Sequence, residues 1–106
     1  MFAKFLQRNG YDVNAFSDPA KAADFFAADP DKIALVITDL KMPQMSGIEL
    51  ASRIRGLSAK VKIILMTAFE TADYRDDIEQ LEFASILRKP VTPANMKMIV
   101  EKTLSV

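Results

Sequence analysis

At 106 residues, half of them apolar and with 14 basic residues balanced by 14 acidic ones, the chain has the size of one domain and no net charge, which excludes a disordered chain and gives no field to attract nucleic acid or an anionic membrane. No run approaches the roughly 20 apolar residues of a membrane span, and no basic stretch followed by a long apolar one opens the chain, so a cytoplasmic protein with no membrane partner is expected. The absence of Cys and His removes disulfides, thiolate metal sites and the commonest general base; the remaining chemistry is that of carboxylates, hydroxyls and ammonium groups, with a hard oxygen-liganded cation such as Mg²⁺ favoured over zinc.

In chain order, Met1, Phe2, Phe5 and Leu6 recur at helical spacing up to Arg8, and Asn9-Gly10 stops the helix. Tyr11, Val13 and Phe16 lie in a short extended segment, and Ser17-Asp18-Pro19 supplies cap candidates for a helix over Pro19 to Ala28. Ile33 to Thr38 reads IALVIT, the near-continuous apolar run of a parallel strand buried on both faces, and it ends at Asp39. A turn with Pro43 and Gly47 leads to a helix at Ile48 to Arg55. Val61 to Met66, VKIILM, repeats the buried-strand pattern and ends at Thr67. A helix over Thr71 to Leu81, a short strand over Ser85 to Arg88 ending at Lys89-Pro90, and a closing helix over Pro93 to Leu104 complete the series. Alternating strands and helices joined by short loops specify an α/β domain with a parallel sheet and helices on both faces.

Functional groups of open parallel sheets collect at the carboxyl ends of the strands. Asp39, Thr67 and Lys89 each stand at such an end, so an acid, a hydroxyl and an ammonium are expected to converge. Alone, each has a structural reading: Asp as a cap or turn former, Thr as a β-former, Lys before Pro as solvated surface. Placed together at three consecutive strand ends, they suit phosphoryl transfer to a carboxylate, with the hydroxyl, the ammonium and a divalent cation balancing charge on the phosphoryl oxygens.

The run Thr38-Asp39-Leu40-Lys41-Met42-Pro43-Gln44-Met45-Ser46-Gly47 resembles the phosphorylation loop of response regulator receiver domains. Met66-Thr67-Ala68 resembles their switch-hydroxyl segment, Lys89-Pro90 their lysine with a cis proline bond, and Asn9-Gly10-Tyr11-Asp12-Val13 the junction of their first helix and second strand. The resemblance implies a flavodoxin-like, doubly wound parallel sheet and a role in two-component signal transduction. It implies that Asp39 accepts a phosphoryl group from a histidine kinase or phosphotransfer protein, that Lys89 pairs with the phosphate, that Thr67 turns toward it, and that Mg²⁺ is held by Asp39 and the Lys41 backbone carbonyl. It further implies a signalling domain with at most self-catalysed phosphorylation and dephosphorylation, and a downstream effector or a second copy bound through the family's fourth helix, fifth strand and fifth helix.

Several positions depart from the family. Receivers open with an apolar strand ending in two acidic residues that hold Mg²⁺; here no Asp or Glu precedes Asp12, which the resemblance assigns to the second strand. Residues 1–106 therefore read as a receiver incomplete at its N-terminus, with lowered Mg²⁺ affinity and exposed sheet edges that invite homodimerisation. Ile86 stands where the family has the aromatic that rotates with the switch hydroxyl, and Lys41 and Phe69 would flank the path of hydrolytic water, with Phe69 favouring slow phosphate loss. The competing reading is a pseudo-receiver, an interaction module that is not phosphorylated. A haloacid-dehalogenase-type phosphatase needs a second Asp where this chain has Lys41, and an FMN binder needs a Ser/Thr/Gly-rich phosphate loop; both are disfavoured.

Overall fold

The computed structural model describes residues 2–42, 44–68 and 74–105. Their elements are α1 (Phe2–Arg8), α2 (Pro19–Ala28), a 3-10 turn (Pro30–Lys32), β1 (Leu35–Asp39), α3 (Gly47–Leu57), β2 (Lys62–Thr67), α4 (Arg75–Leu81), β3 (Ser85–Arg88) and α5 (Pro93–Leu104). The strands form one parallel sheet in the order β1-β2-β3. Among the described residues no helix is long and apolar enough to cross a membrane.

Local chemistry sets the helix limits. Gly10 takes φ +94° just after α1, a left-handed conformation open to Gly and strained for most other residues. The Asp18 carboxylate accepts from the Ala20 N–H at 2.9 Å, and Pro19 occupies the first turn of α2, where its missing N–H costs nothing. Ser46 and Thr92 do the same for α3 and α5, accepting from Glu49 N–H and Asn95 N–H.

Side chains alternate across the middle strand, as the pleat requires. Ile63 faces a core shared with Phe26 of α2 and Leu50, Ala51 and Ile54 of α3. Ile64 and Met66 face the opposite core, with Leu6 of α1 and Met96 and Val100 of α5. Leu65 packs with Leu40, Ile48 and residues of α4. Ile63, Ile64 and Leu65 are fully buried, and each contributes about 1.5–3 kcal/mol by leaving water.

Two expectations are corrected. IALVIT is not buried on both faces: Leu35, Val36 and Ile37 are half-buried, and within β1 only Thr38 is buried. The reason is position, since β1 is the edge strand of the described sheet and its outer side lacks a neighbour that would cover those side chains. Nor is Tyr11 to Phe16, with Asp12, a strand. Among the described residues it makes no ladder with β1, and an extended segment without a ladder partner is not a strand. Smaller shifts place Asp39 and Thr67 as the last residues of β1 and β2 rather than beyond them. The expected helix at Thr71 is described from Arg75 onward, with residues 71–73, like Phe69 and Pro43, outside the described residues.

Candidate functional site

Strand register brings the three expected residues to one edge. Asp39 pairs with Met66, the residue before Thr67, and Thr67 pairs with Arg88, the residue before Lys89. Main-chain bonds continue the ladders just past this line: Leu40 N–H donates to Met66 O at 2.8 Å and Lys89 N–H to Thr67 O at 2.8 Å. The three side chains therefore hang from neighbouring strand ends that the sheet itself holds in place.

Lys89 Nζ lies 2.5 Å from Asp39 Oδ1. Oδ1 is shielded from solvent and takes this ammonium as its ion-pair partner. The Asp39 side chain as a whole is 38% exposed, so its open part is the side that bears Oδ2. With both partners this exposed, solvent screens the pair, and it contributes no more than about 1 kcal/mol to stability. Its value is positional: a fixed ammonium beside a carboxylate with one oxygen open to an incoming group. Thr67 is 4% exposed, its hydroxyl carried by the interior strand. The Lys89–Pro90 peptide bond is cis.

The loop after Asp39 folds back on the strand end. Gly47 N–H donates to Leu40 O at 2.7 Å, and a Cβ built at Gly47 would stand 2.1 Å from the Asp39 carbonyl oxygen, closer than any real contact. Gly47 thus sets how near α3 approaches the carboxylate-bearing residue, a role that its place in the motif does not reveal. Within the loop, Gln44 takes the left-handed region at φ 71°, and the Thr38 hydroxyl donates to Asp39 O at 3.0 Å. Lys41 is exposed beside the site, and Ile86, on β3, is 40% exposed.

Among the described residues no group of three or more carboxylates, His or Cys gathers to hold a metal ion. Asp39 supplies a carboxylate of which one oxygen is already ion-paired with Lys89. That suits one corner of a Mg²⁺ shell, but a hard cation of octahedral preference needs more oxygen donors than this, so these residues do not by themselves fit Mg²⁺.

Residues 1–101 match the family described as response regulator receiver domain. The chain is 33% identical to the response regulator receiver protein CpdR of Brucella abortus over 101 residues, covering 95% of this chain and 82% of that one. It is 28% identical to sporulation initiation phosphotransferase F of Bacillus subtilis, covering 93% and 78%. Other relatives are much longer: the chain spans only 24% of the phosphoglycerate transport regulator PgtA of Salmonella typhimurium. In structure it is similar to a CheY-like receiver domain from Methanospirillum hungatei, with a TM-score of 0.88, 20% identity and coverage of 96% and 80%. A receiver domain from Clostridium thermocellum superposes with a TM-score of 0.86, 24% identity and coverage of 96% and 81%. The architecture is thus the flavodoxin-like receiver fold.

Proposed function

Because the chain belongs to the response regulator receiver family, whose members are signalling domains of two-component systems, we propose that it receives a phosphoryl group on Asp39. The observation that carries this reading is the meeting of Asp39 and Lys89 at 2.5 Å beside the end of the strand that bears Thr67. Receivers interact with histidine kinases and phosphotransfer proteins; the donor here is accordingly a phosphohistidine of such a partner. Asp39 Oδ2, on the open side, forms the bond to phosphorus as the phosphorus–nitrogen bond breaks, and the departing imidazole takes up a proton. Lys89 neutralises charge on the phosphoryl oxygens, and the Thr67 hydroxyl donates to one of them.

The same three residues then read the modification. Drawing Thr67 toward the phosphate moves the end of β2 and the segment leading to α4, which alters the face made by α4, β3 and α5. Ile86 on that face is aliphatic, so the movement is transmitted without the family's aromatic rotation, to a downstream effector or a second copy. Mg²⁺ supplies charge neutralisation in the family; in this reading no step depends on its being held by these residues alone.

The pseudo-receiver reading has one observation in its favour, the lack of a multi-carboxylate group among the described residues. Intact-mass analysis after incubation with Mg²⁺ and acetyl phosphate separates the two. A single phosphoryl adduct, lost in Asp39→Asn, is expected; a folded chain that acquires none is a pseudo-receiver.

A further inference from the structure

Thr38 carries the one hydroxyl in the apolar run from Ile33 to Thr38. Among the described residues two polar side chains are buried, Thr38 and Thr67, each 4% exposed; the proposed chemistry uses Thr67 and leaves Thr38 without a part. The strand itself does not require this hydroxyl, because Val has nearly the same shape and is equally suited to a pleated surface. A buried hydroxyl costs free energy unless it is hydrogen-bonded, so its partners show what it serves.

Both partners lie where the chain leaves the strand. The Thr38 hydroxyl donates to the Asp39 carbonyl oxygen at 3.0 Å and lies 3.6 Å from Met42 Sδ. One proton faces two acceptors, of which the carbonyl is the stronger, and Met42 is itself packed against the α2/α3 core. The peptide unit between Asp39 and Leu40 is thereby held at both ends: its C=O accepts from Thr38, and its N–H donates to Met66 O at 2.8 Å. Gly47, where a Cβ would collide with the same carbonyl, closes in its other side. A peptide unit is planar, so fixing this one fixes ψ of Asp39, and the backbone angles in turn restrict which side-chain rotamer is open to the carboxylate.

We propose that Thr38 is a positioning residue for phosphoryl transfer: its buried hydroxyl, through the Asp39 carbonyl, holds the Asp39 side chain in the rotamer that places one carboxylate oxygen beside Lys89 and leaves the other open. Thr38 touches neither phosphate nor donor in this role. The inference deepens the reading of Asp39 as phosphoacceptor and rests on it for its effect on rate, whereas its effect on the Asp39 rotamer exists with or without phosphate.

Two variants of the full chain test it, Thr38→Val, which removes the hydroxyl and keeps the shape, and Thr38→Ser, which keeps the hydroxyl. In ¹³C,¹⁵N-labelled protein the couplings from the Asp39 backbone N and carbonyl carbon to its Cγ report the rotamer. A single rotamer is expected in the wild type and Thr38→Ser, and averaging in Thr38→Val. Intact-mass time courses with Mg²⁺ and acetyl phosphate, corrected for the folded fraction from urea unfolding, give the second readout. The maximal rate of adduct formation is expected to fall about tenfold in Thr38→Val at an unchanged half-saturating acetyl phosphate concentration, and Thr38→Ser keeps the wild-type rate. The proposal is overturned if Thr38→Val retains the single rotamer, if it keeps the wild-type rate, if Thr38→Ser is slowed equally, or if Thr38→Val has no folded fraction, since the hydroxyl then serves the fold. A wild type that takes up no phosphate defeats the phosphoacceptor reading instead; the couplings then decide the positioning role alone, averaging confined to Thr38→Val sustaining it and any other pattern overturning it.

Discussion

IALVIT and VKIILM are nearly interchangeable as sequence, both short, apolar and rich in β-branched residues, yet the molecule uses them differently. β2 is buried from Ile63 through Thr67, whereas β1 is half-buried over Leu35 to Ile37. Among the described residues the first is an interior strand and the second an edge. Composition reports what surroundings a strand tolerates on its faces; the neighbours that complete those surroundings come from topology. Asp39 sits on the incompletely covered strand and Thr67 on the covered one, so the candidate site joins two strands of different enclosure.

That contrast predicts a graded response to truncation. Leu65→Ala, in the interior strand, is expected to lower stability by about 2–5 kcal/mol, and Ile37→Ala, on the edge, by roughly half of that. Urea unfolding of both variants measures the difference, and equal losses would show that β1 is as enclosed as β2.

The start of β2 has a side-chain anchor. Arg55, on α3, donates to the carbonyls of Leu81 (2.7 Å), Ser58 (3.4 Å), Val61 (2.5 Å) and Glu82 (3.1 Å), tying the entry to β2 to the end of α4. Arg55→Met should cost about 1.5–3 kcal/mol and speed amide exchange around Val61 and Leu81 before the β1 amides respond. Uniform loosening of both strands would remove the distinction.

At the end of β1, Gly47→Ala forces a methyl into the Asp39 carbonyl and must shift either the loop or the carboxylate, at a cost of about 1–3 kcal/mol. Its signature is a slower acquisition of phosphate from acetyl phosphate than its stability loss explains. An unaltered rate would show that the approach of α3 does not position Asp39. The smallest stability change belongs to Lys89→Ala: with a screened pair, it should change stability by less than about 1 kcal/mol while slowing adduct formation.

The fold class and the line of Asp39, Thr67 and Lys89 were legible because buried strands leave unbroken apolar runs and a polar residue that ends such a run stands at the sheet's edge. The caps Asp18-Pro19 and Thr92-Pro93 were legible in principle for a similar reason, since their chemistry is local. What was not legible depends on partners distant in the chain. Nothing in Arg55 announces that it will meet the carbonyls of residues 81 and 82, and Gly47 shows its purpose only when the Asp39 carbonyl lies against it. The half-burial of IALVIT and the lack of a strand ladder for Tyr11 to Phe16 among the described residues likewise follow from what lies alongside them, which no periodicity encodes.

The central claim, that Asp39 carries the phosphate, is tested most directly by the chemistry of the adduct. An acyl phosphate on a carboxylate is cleaved by neutral hydroxylamine, whereas a phosphate ester on Ser or Thr survives it. After acetyl phosphate treatment, the account predicts a hydroxylamine-labile adduct that leaves a hydroxamate on the peptide containing Asp39. A hydroxylamine-stable adduct, or one mapped to Thr67, would contradict it.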